Sequence, residues 1–403
     1  MEIENVDFKR KELELNALLE VTMAINNNLP EDSLFKIFKF TCLPYLKVKS
    51  LVLYTKTGDT LTVKVSHGIN ESEVPVLPTN YFKRHSELTD AANFRSDFPV
   101  FALFERYIPV FHKSELLAVV LVKSSKGAIL DLTFIQALIN ILVVAVENKR
   151  FARKQLEQER LRKEIEIASE VQQLLLPKNL PWRDKLKVKV SYQPHSMVGG
   201  DYYDFIEKDN NTFIFCIADV SGKGMPAAML MSNFQAALRT LVRNTNDIGL
   251  IARELNTSVF ENSGGERFIT FFIGQYLIKE RTLNYINAGH NLPILCQNEG
   301  RQVEALDAGT TILGAFEELP FLKQGVIENL NHFTVHLFTD GLTETFNDAQ
   351  EYYGDERFYD FIKTHSLMDP ERFHEYFFRE LDVWRNGQPY IDDVTLLSIE
   401  VKP

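Results

Sequence analysis

Apolar residues recur every three or four positions over residues 8–28, at Phe8, Leu15, Leu18, Leu19, Thr22 and Ile25. That is the spacing of one helix face. Asn26, Asn27, Asn28 and Pro30 end the pattern. A second helical stretch runs from Glu31 to Phe40, with Leu34, Ile37 and Phe38 on one side. The period then changes. VKSLVLY (48–54) and TLTVKVS (60–66) read as strands joined by the turn TGD (57–59). Residues 70–98 show no regular period. RYIPVFH (106–112) and ELLAVVLVKS (115–124) form a second hairpin pattern, and a long helix opens near Asp131–Leu132 with Asp131 as its N-cap.

Residues 147–176 are almost continuously helical in pattern. Leu161, Ile165, Ala168, Gln172 and Leu175 alternate steps of four and three, which predicts a coiled-coil seam. Pro177 ends it, and no glycine precedes that proline, so the segment reads as a stiff connector. A plain spacer would not need an apolar seam. The seam therefore predicts a parallel homodimer, imperfect at Gln172. These patterns divide the chain into an N-terminal helix (1–28), a mixed unit (29–146), a helical linker (147–177) and a C-terminal domain (178–403). The helix–helix–strands–helix order of the first part resembles a GAF domain, a sensory module built on an antiparallel sheet. The resemblance implies either a small-molecule ligand or a role confined to pairing and coupling. No cyclic-nucleotide signature or chromophore-bearing cysteine marks a ligand.

The chain has 403 residues, 45% of them hydrophobic, enough to build two or three cores. Its net charge of −11 argues against nucleic acid and anionic membranes as partners. Cys42, Cys216 and Cys296 are far apart and have no metal or redox spacing, which suits a reducing cytoplasm. The start, MEIENVDFKRKELE, is charged and unlike a signal peptide. The apolar run LINILVVAV (138–146) is short for a bilayer and contains Asn140, so no membrane insertion is expected.

The chemistry concentrates in the second half. Asp201 lies in GGDYYD (199–204), Asp219 in ADVSGKG (218–224), Asp340 in FTDG (338–341), and Asp392 and Asp393 in DDVT (392–395). Three of these motifs adjoin strand-like runs: FIFCIADV, FTVHLFTD and SIEVK. Carboxylates gathered at one sheet edge repel one another, and a buried unpaired charge costs several kcal/mol. A divalent metal relieves this, and carboxylate oxygens suit Mg²⁺ or Mn²⁺. A P-loop is excluded because Gly222-Lys223 is followed by Gly224 where Ser or Thr is required. Cys216 lies in an apolar run with nothing to lower its pKa, and no C-x5-R loop is present.

GGDYYD, DVSGKG, NAGHNLP, FTDG and DDVT, in that order, resemble the SpoIIE-type branch of the PPM metal-dependent serine/threonine phosphatases, over roughly residues 165–401. The resemblance implies an α+β fold, with two antiparallel sheets packed face to face, helices outside and a two-metal cluster at one end. It implies Asp201, Asp219, Asp340 and Asp392 as ligands, with Asp219 bridging two Mn²⁺ or Mg²⁺ ions and the Val220 carbonyl adding an oxygen. The first aspartate of DDVT aligns better with the family ligand, leaving Asp393 for an outer or turn role. Asp204 is a candidate outer-shell acid, or else it caps the turn after GGDYY. His290 reads as part of a structural turn in NAGH and not as a general acid. Lys223 is compatible with touching phosphate and equally with solvent. EIEIASEVQQLLLP resembles the regulatory helix that precedes such catalytic domains. The expected substrate is a phosphoserine or phosphothreonine protein, such as an anti-sigma-factor antagonist of the STAS type. The alternatives are a non-catalytic scaffold of the same fold, which would normally show a lost ligand, and a phosphatase of small molecules.

Overall fold

A computed structural model describes residues 2–42, 48–126, 130–297, 300 and 302–402. The chain divides into two compact units, Met1–Glu159 and Arg160–Pro403. The helix Leu132–Gln173 begins in the first and ends in the second.

The first unit holds a six-stranded antiparallel sheet. Its order is β3 (Leu77–Pro78), β2 (Thr60–His67), β1 (Val48–Thr57), β6 (Glu115–Ser124), β5 (Arg106–His112) and β4 (Thr89–Asp90). Alternation along β1 and β6 builds two cores. Leu51, Leu53, Val120 and Val122 face the helices, meeting Val21, Phe35, Ile135 and Leu142. Val52, Tyr54, Val119 and Leu121 face the other way, toward Phe82, Phe94 and Phe101. The stretch 70–98, without period in the sequence, is therefore a cap of short turns. Its Phe82 stacks on Phe101 at 5.6 Å, and its Phe94 meets Tyr107 of β5 at 4.7 Å. Asp131 caps the long helix as expected, accepting the Phe134 N–H at 3.0 Å. By length and composition that helix suffices to cross a membrane. Its apolar residues Ile135, Leu138, Ile139, Leu142, Val143 and Val146 are buried in the first unit's core.

The second unit is a four-layer sandwich. One sheet runs β15 (Gly309–Thr310), β12 (Thr282–Ala288), β11 (Ile269–Leu277), β10 (Thr212–Val220) and β9 (Tyr202–Glu207), with β16 (Gly325–Ile327) also on β12. The other runs β14 (Gln302–Ala305), β13 (Ile294–Gln297), β17 (Phe333–Phe338), β18 (Val394–Val401), β8 (Leu186–Gln193) and β7 (Trp182–Arg183). All pairings are antiparallel except β12 with β15. Phe215, Ile217, Phe272, Val335, Leu397 and Ile399 fill the space between the sheets. The helices Met225–Asn244 and Ile248–Ser263 cover the first sheet through Met231, Phe234 and Leu255. Asp355–His365 and Pro370–Arg385 cover the second through Phe358, Phe361, Phe373 and Phe377. Pro370–Arg385 is also pinned by a buried polar chain. His374 bonds Ser191 at 2.8 Å and Ser398 at 2.9 Å, and Ser398 bonds His336 at 2.7 Å.

The linker differs from its expected form. Of the predicted seam, Gln172 is buried, and Ile165, Ala168 and Leu175 are half-buried within the second unit's part of the chain, while Leu161 is exposed. Leu176 joins the sandwich core. A different row, Ile167, Val171 and Leu174, faces outward with more than half of each surface exposed. The 4–3 step of the seam was real; its C-terminal half is turned onto the chain's own domain.

Candidate metal centre

Strand register brings the motifs together. In the first sheet β9 and β10 pair Tyr202 with Ala218. One residue further, Asp201 stands opposite Asp219, near the end of β10. In the second sheet Phe338 pairs with Leu396, and the ladder continues as Thr339 N–H donates to Thr395 O at 3.1 Å. Asp340 and Asp392–Asp393 therefore emerge at the same end. The sheets are joined there. Thr339 Oγ1 donates to Asp201 Oδ2 at 2.8 Å, and Thr395 Oγ1 donates to the same oxygen.

The glycines of the motifs are spacers. A side-chain carbon at Gly199 would lie 2.1 Å from Tyr192 Oη and 2.5 Å from Asp393 Oδ2. At Gly200 it would fill the space beside Val220 O (3.0 Å) and Asp219 Oδ1 (3.4 Å). At Gly341 it would collide with Asp393 O at 2.1 Å, which explains glycine after Asp340. Asp393 holds the loop before Asp201, accepting the His195 N–H at 2.7 Å and the Gly200 N–H at 2.6 Å. Gln172 holds the same loop from the linker. Its Nε2 donates to Gly199 O at 2.7 Å and its Oε1 accepts the Gly199 N–H at 3.1 Å. Asp392 is more open and pairs with Lys223 at 2.8 Å.

The electrostatics are those of a crowded anionic site. Burial, then the Asp219 charge, holds the Asp201 carboxyl well above the usual range, against the two threonine hydrogen bonds. Burial and the charges of Asp340, Asp392 and Asp393 push Asp219 up to about 7. Burial and Asp392 raise Asp340, and burial raises Asp393 against the backbone N–H groups that it accepts. Among the described residues, no three His, Cys, Asp or Glu side chains close into a metal-chelating group as they stand. Part of their capacity is taken by Thr339, Thr395 and Lys223. The donor set nonetheless fits hard divalent cations, with carboxylate oxygens and the Val220 carbonyl flanking a space kept open by Gly200. Asp219 and Asp392 line one tight cleft of about 10 Å³, with Gly200, Lys223 and Asp393 beside them.

Residues 209–402 match the family described as Stage II sporulation protein E (SpoIIE). The similarity to that family lies in the C-terminal half of the chain. Over 187 residues the chain is 32% identical to the phosphoserine phosphatase RsbU of Bacillus subtilis (strain 168), covering 46% of this chain and 55% of RsbU. It is 23% identical over 245 residues to the phosphoserine phosphatase RsbP of the same organism, covering 60% of this chain and 58% of RsbP. The chain thus spans a little over half the length of these relatives. The SiaA-PP2C domain of Pseudomonas aeruginosa aligns with a TM-score of 0.55 at 20% identity, over 61% of this chain and 99% of that one. That likeness is one of fold.

Asp201, Asp219, Asp340, Asp392 and Val220 meet at one end of the sandwich. Asp393 lies beside them as a loop anchor. Asp204 does not join the cluster. Its carboxylate accepts Arg239 Nε and Nη2 at 2.8 and 2.9 Å and Tyr202 Oη at 2.6 Å. The reading as an outer-shell acid is therefore corrected: Asp204 anchors the helix Met225–Asn244 to β9. His290 is buried in its turn, its N–H donating to Asn287 Oδ1 at 2.8 Å and its Nδ1 bonded to Thr270 Oγ1 at 2.9 Å. Burial lowers its pKa to about 4, so the ring is neutral near pH 7. Cys216 is buried, and burial drives its thiol well above the ordinary value. Thr339, Thr395, Gln172 and Glu344 were not singled out from the sequence as part of the site. Thr339 directly follows β17, and Thr395 closes the DDVT motif, a weak cue. Glu344, raised by burial and then by Asp340 and Asp392, lies four residues after Asp340.

Proposed function

We propose that this chain is a metal-dependent protein serine/threonine phosphatase, regulated through its N-terminal unit. One observation carries the reading. Carboxylates from both sheets converge at one end of the sandwich, where burial and their mutual repulsion push Asp219 up to about 7. Asp201, Asp219, Asp340, Asp392 and the Val220 carbonyl would hold Mn²⁺ or Mg²⁺, with Asp219 shared between two ions. Bound there, the ions supply a water of lowered pKa and neutralise phosphoryl charge. The protein's part is positioning. Thr339 and Thr395 orient Asp201, and Asp393 and Gln172 fix the Gly199–Gly200 loop. Neutral His290 serves the turn.

The substrate we infer is a phosphoserine or phosphothreonine on a protein, of the STAS antagonist type. RsbU and RsbP, both named phosphoserine phosphatases, support this. So does the cleft. It is tight and lined by Asp219, Lys223 and Asp392. A phosphorylated side chain presented at the rim requires no enclosure. The retained acids favour catalysis over a scaffold role.

The N-terminal unit, with one sheet between helices and an aromatic cap, fits a GAF-like module. Its signal would pass along the linker helix, whose Gln172 clamps the loop preceding Asp201. Pairing of two parallel chains would use the outward row Ile167, Val171 and Leu174. Buried free Cys216 and Cys296 suit a cytoplasmic setting. The test is phosphate release with Mn²⁺ from phosphoserine proteins set against a panel of small phosphometabolites. Turnover of the proteins at higher kcat/KM is expected. Preference for a metabolite would contradict the assignment.

A further inference from the structure

Lys223 occupies an unusual place in the cleft. It stands between two glycines of left-handed backbone, Gly222 (φ 92°) and Gly224 (φ 73°), immediately before the helix Met225–Asn244. The side chain reaches back across the site. Its Nζ lies 2.8 Å from Asp392 Oδ2 and donates to Ile391 O at 2.5 Å. Among the described residues lining the cleft it is the one lysine or arginine, set with Asp219, Asp392 and Asp393. Its charge also acts on Asp340 and Glu344, lowering both carboxyls against the burial and the repulsion that raise them. The ammonium thus holds an oxygen of an acid that the metal reading requires.

We propose that Lys223 is an internal counter-ion, seated on Asp392 while the site lacks metal and displaced from it when a divalent cation binds. The inference rests on the metal-dependent reading above and adds a residue that opposes metal entry. The exchange makes and breaks no covalent bond. One cation leaves the Asp392 oxygen and another takes it. Lysine suits the role, as a compact charge on a flexible stem that can swing away. Its side chain is about half exposed, so the pair is a weak one. The lysine would tune the metal's hold without blocking it.

Isothermal titration with Mn²⁺ tests the proposal on the full chain. Lys223→Met should bind Mn²⁺ about two- to fivefold more tightly than the wild type. Lys223→Arg, which keeps the charge, should stay near the wild type. Adding Lys223→Met to Asp392→Asn should yield little further gain, because the partner is gone. Thermal unfolding of each variant verifies that it is folded. Equal or weaker binding by Lys223→Met overturns the proposal. So does an undiminished gain in the Asp392→Asn background, which would make the lysine a diffuse field and not the counter-ion of Asp392. Failure of every protein to bind Mn²⁺, wild type included, would overturn the metal reading itself and this proposal with it.

Discussion

Asp219 shows how one carboxyl reports on the whole site. Its pKa is pushed up to about 7 by burial and by Asp340, Asp392 and Asp393. An unfolded aspartate titrates near 4. A folded pKa above the unfolded one gives stability that is present below about 4 and lost as pH rises through about 7. The carboxyls thus work against one another near neutrality, and a bound divalent cation would relieve that repulsion. The rise in Tm on adding Mn²⁺ should grow between pH 5.5 and 7.5, as differential scanning fluorimetry would show. An increment independent of pH would contradict the account. Gly200 makes a steric prediction at the same scale. Gly200→Ala places a methyl 3.0 Å from Val220 O, in the space proposed for metal. Mn²⁺ affinity and turnover should each fall at least about tenfold while the fold persists; unchanged values would remove Val220 and Gly200 from the metal space. The acids themselves were legible because each adjoins a strand, and a strand end fixes a direction. Asp204 was misread because its partner Arg239 is 35 residues away on a helix, and nothing local announces that pair.

Elements carry the site through register and clamps. The pairing of β9 with β10, and of β17 with β18, sets which acids stand opposite one another. Apolar strand-like runs predicted β10, β17 and β18 but not β9, and they could not supply the cross-sheet threonine bonds. The linker shows the same limit. A 4–3 apolar step says that one helix face is covered, not by what. Here Gln172, apparently a flaw in a dimer seam, makes two hydrogen bonds to Gly199. Gln172→Ala would leave a buried N–H and C=O unpaired, at about 1–3 kcal/mol for each. It should lower Mn²⁺-dependent turnover about tenfold, although residue 172 touches none of the proposed ligands. Wild-type kinetics in a folded Gln172→Ala protein would show that the linker does not act through this clamp.

At the scale of the whole molecule, the chain is two compact units, and the helix Leu132–Gln173 begins in one and ends in the other. The outward row Ile167, Val171 and Leu174 predicts association of two chains. Ile167→Asp with Val171→Asp should shift sedimentation toward monomer and leave the metal response intact, because neither side chain is buried. A sedimentation profile like that of the wild type would place any pairing elsewhere. The central claim is that the four-aspartate cluster performs metal-dependent phosphate release, and one comparison tests it most directly. Phosphate release from a phosphoserine protein is measured for the wild type and Asp219→Asn, in Mn²⁺ and then in excess EDTA. The account predicts turnover by the wild type in Mn²⁺, none in EDTA, recovery when Mn²⁺ is restored, and a loss of at least about a hundredfold in Asp219→Asn. Undiminished turnover in EDTA, or wild-type turnover by a folded Asp219→Asn protein, would contradict it.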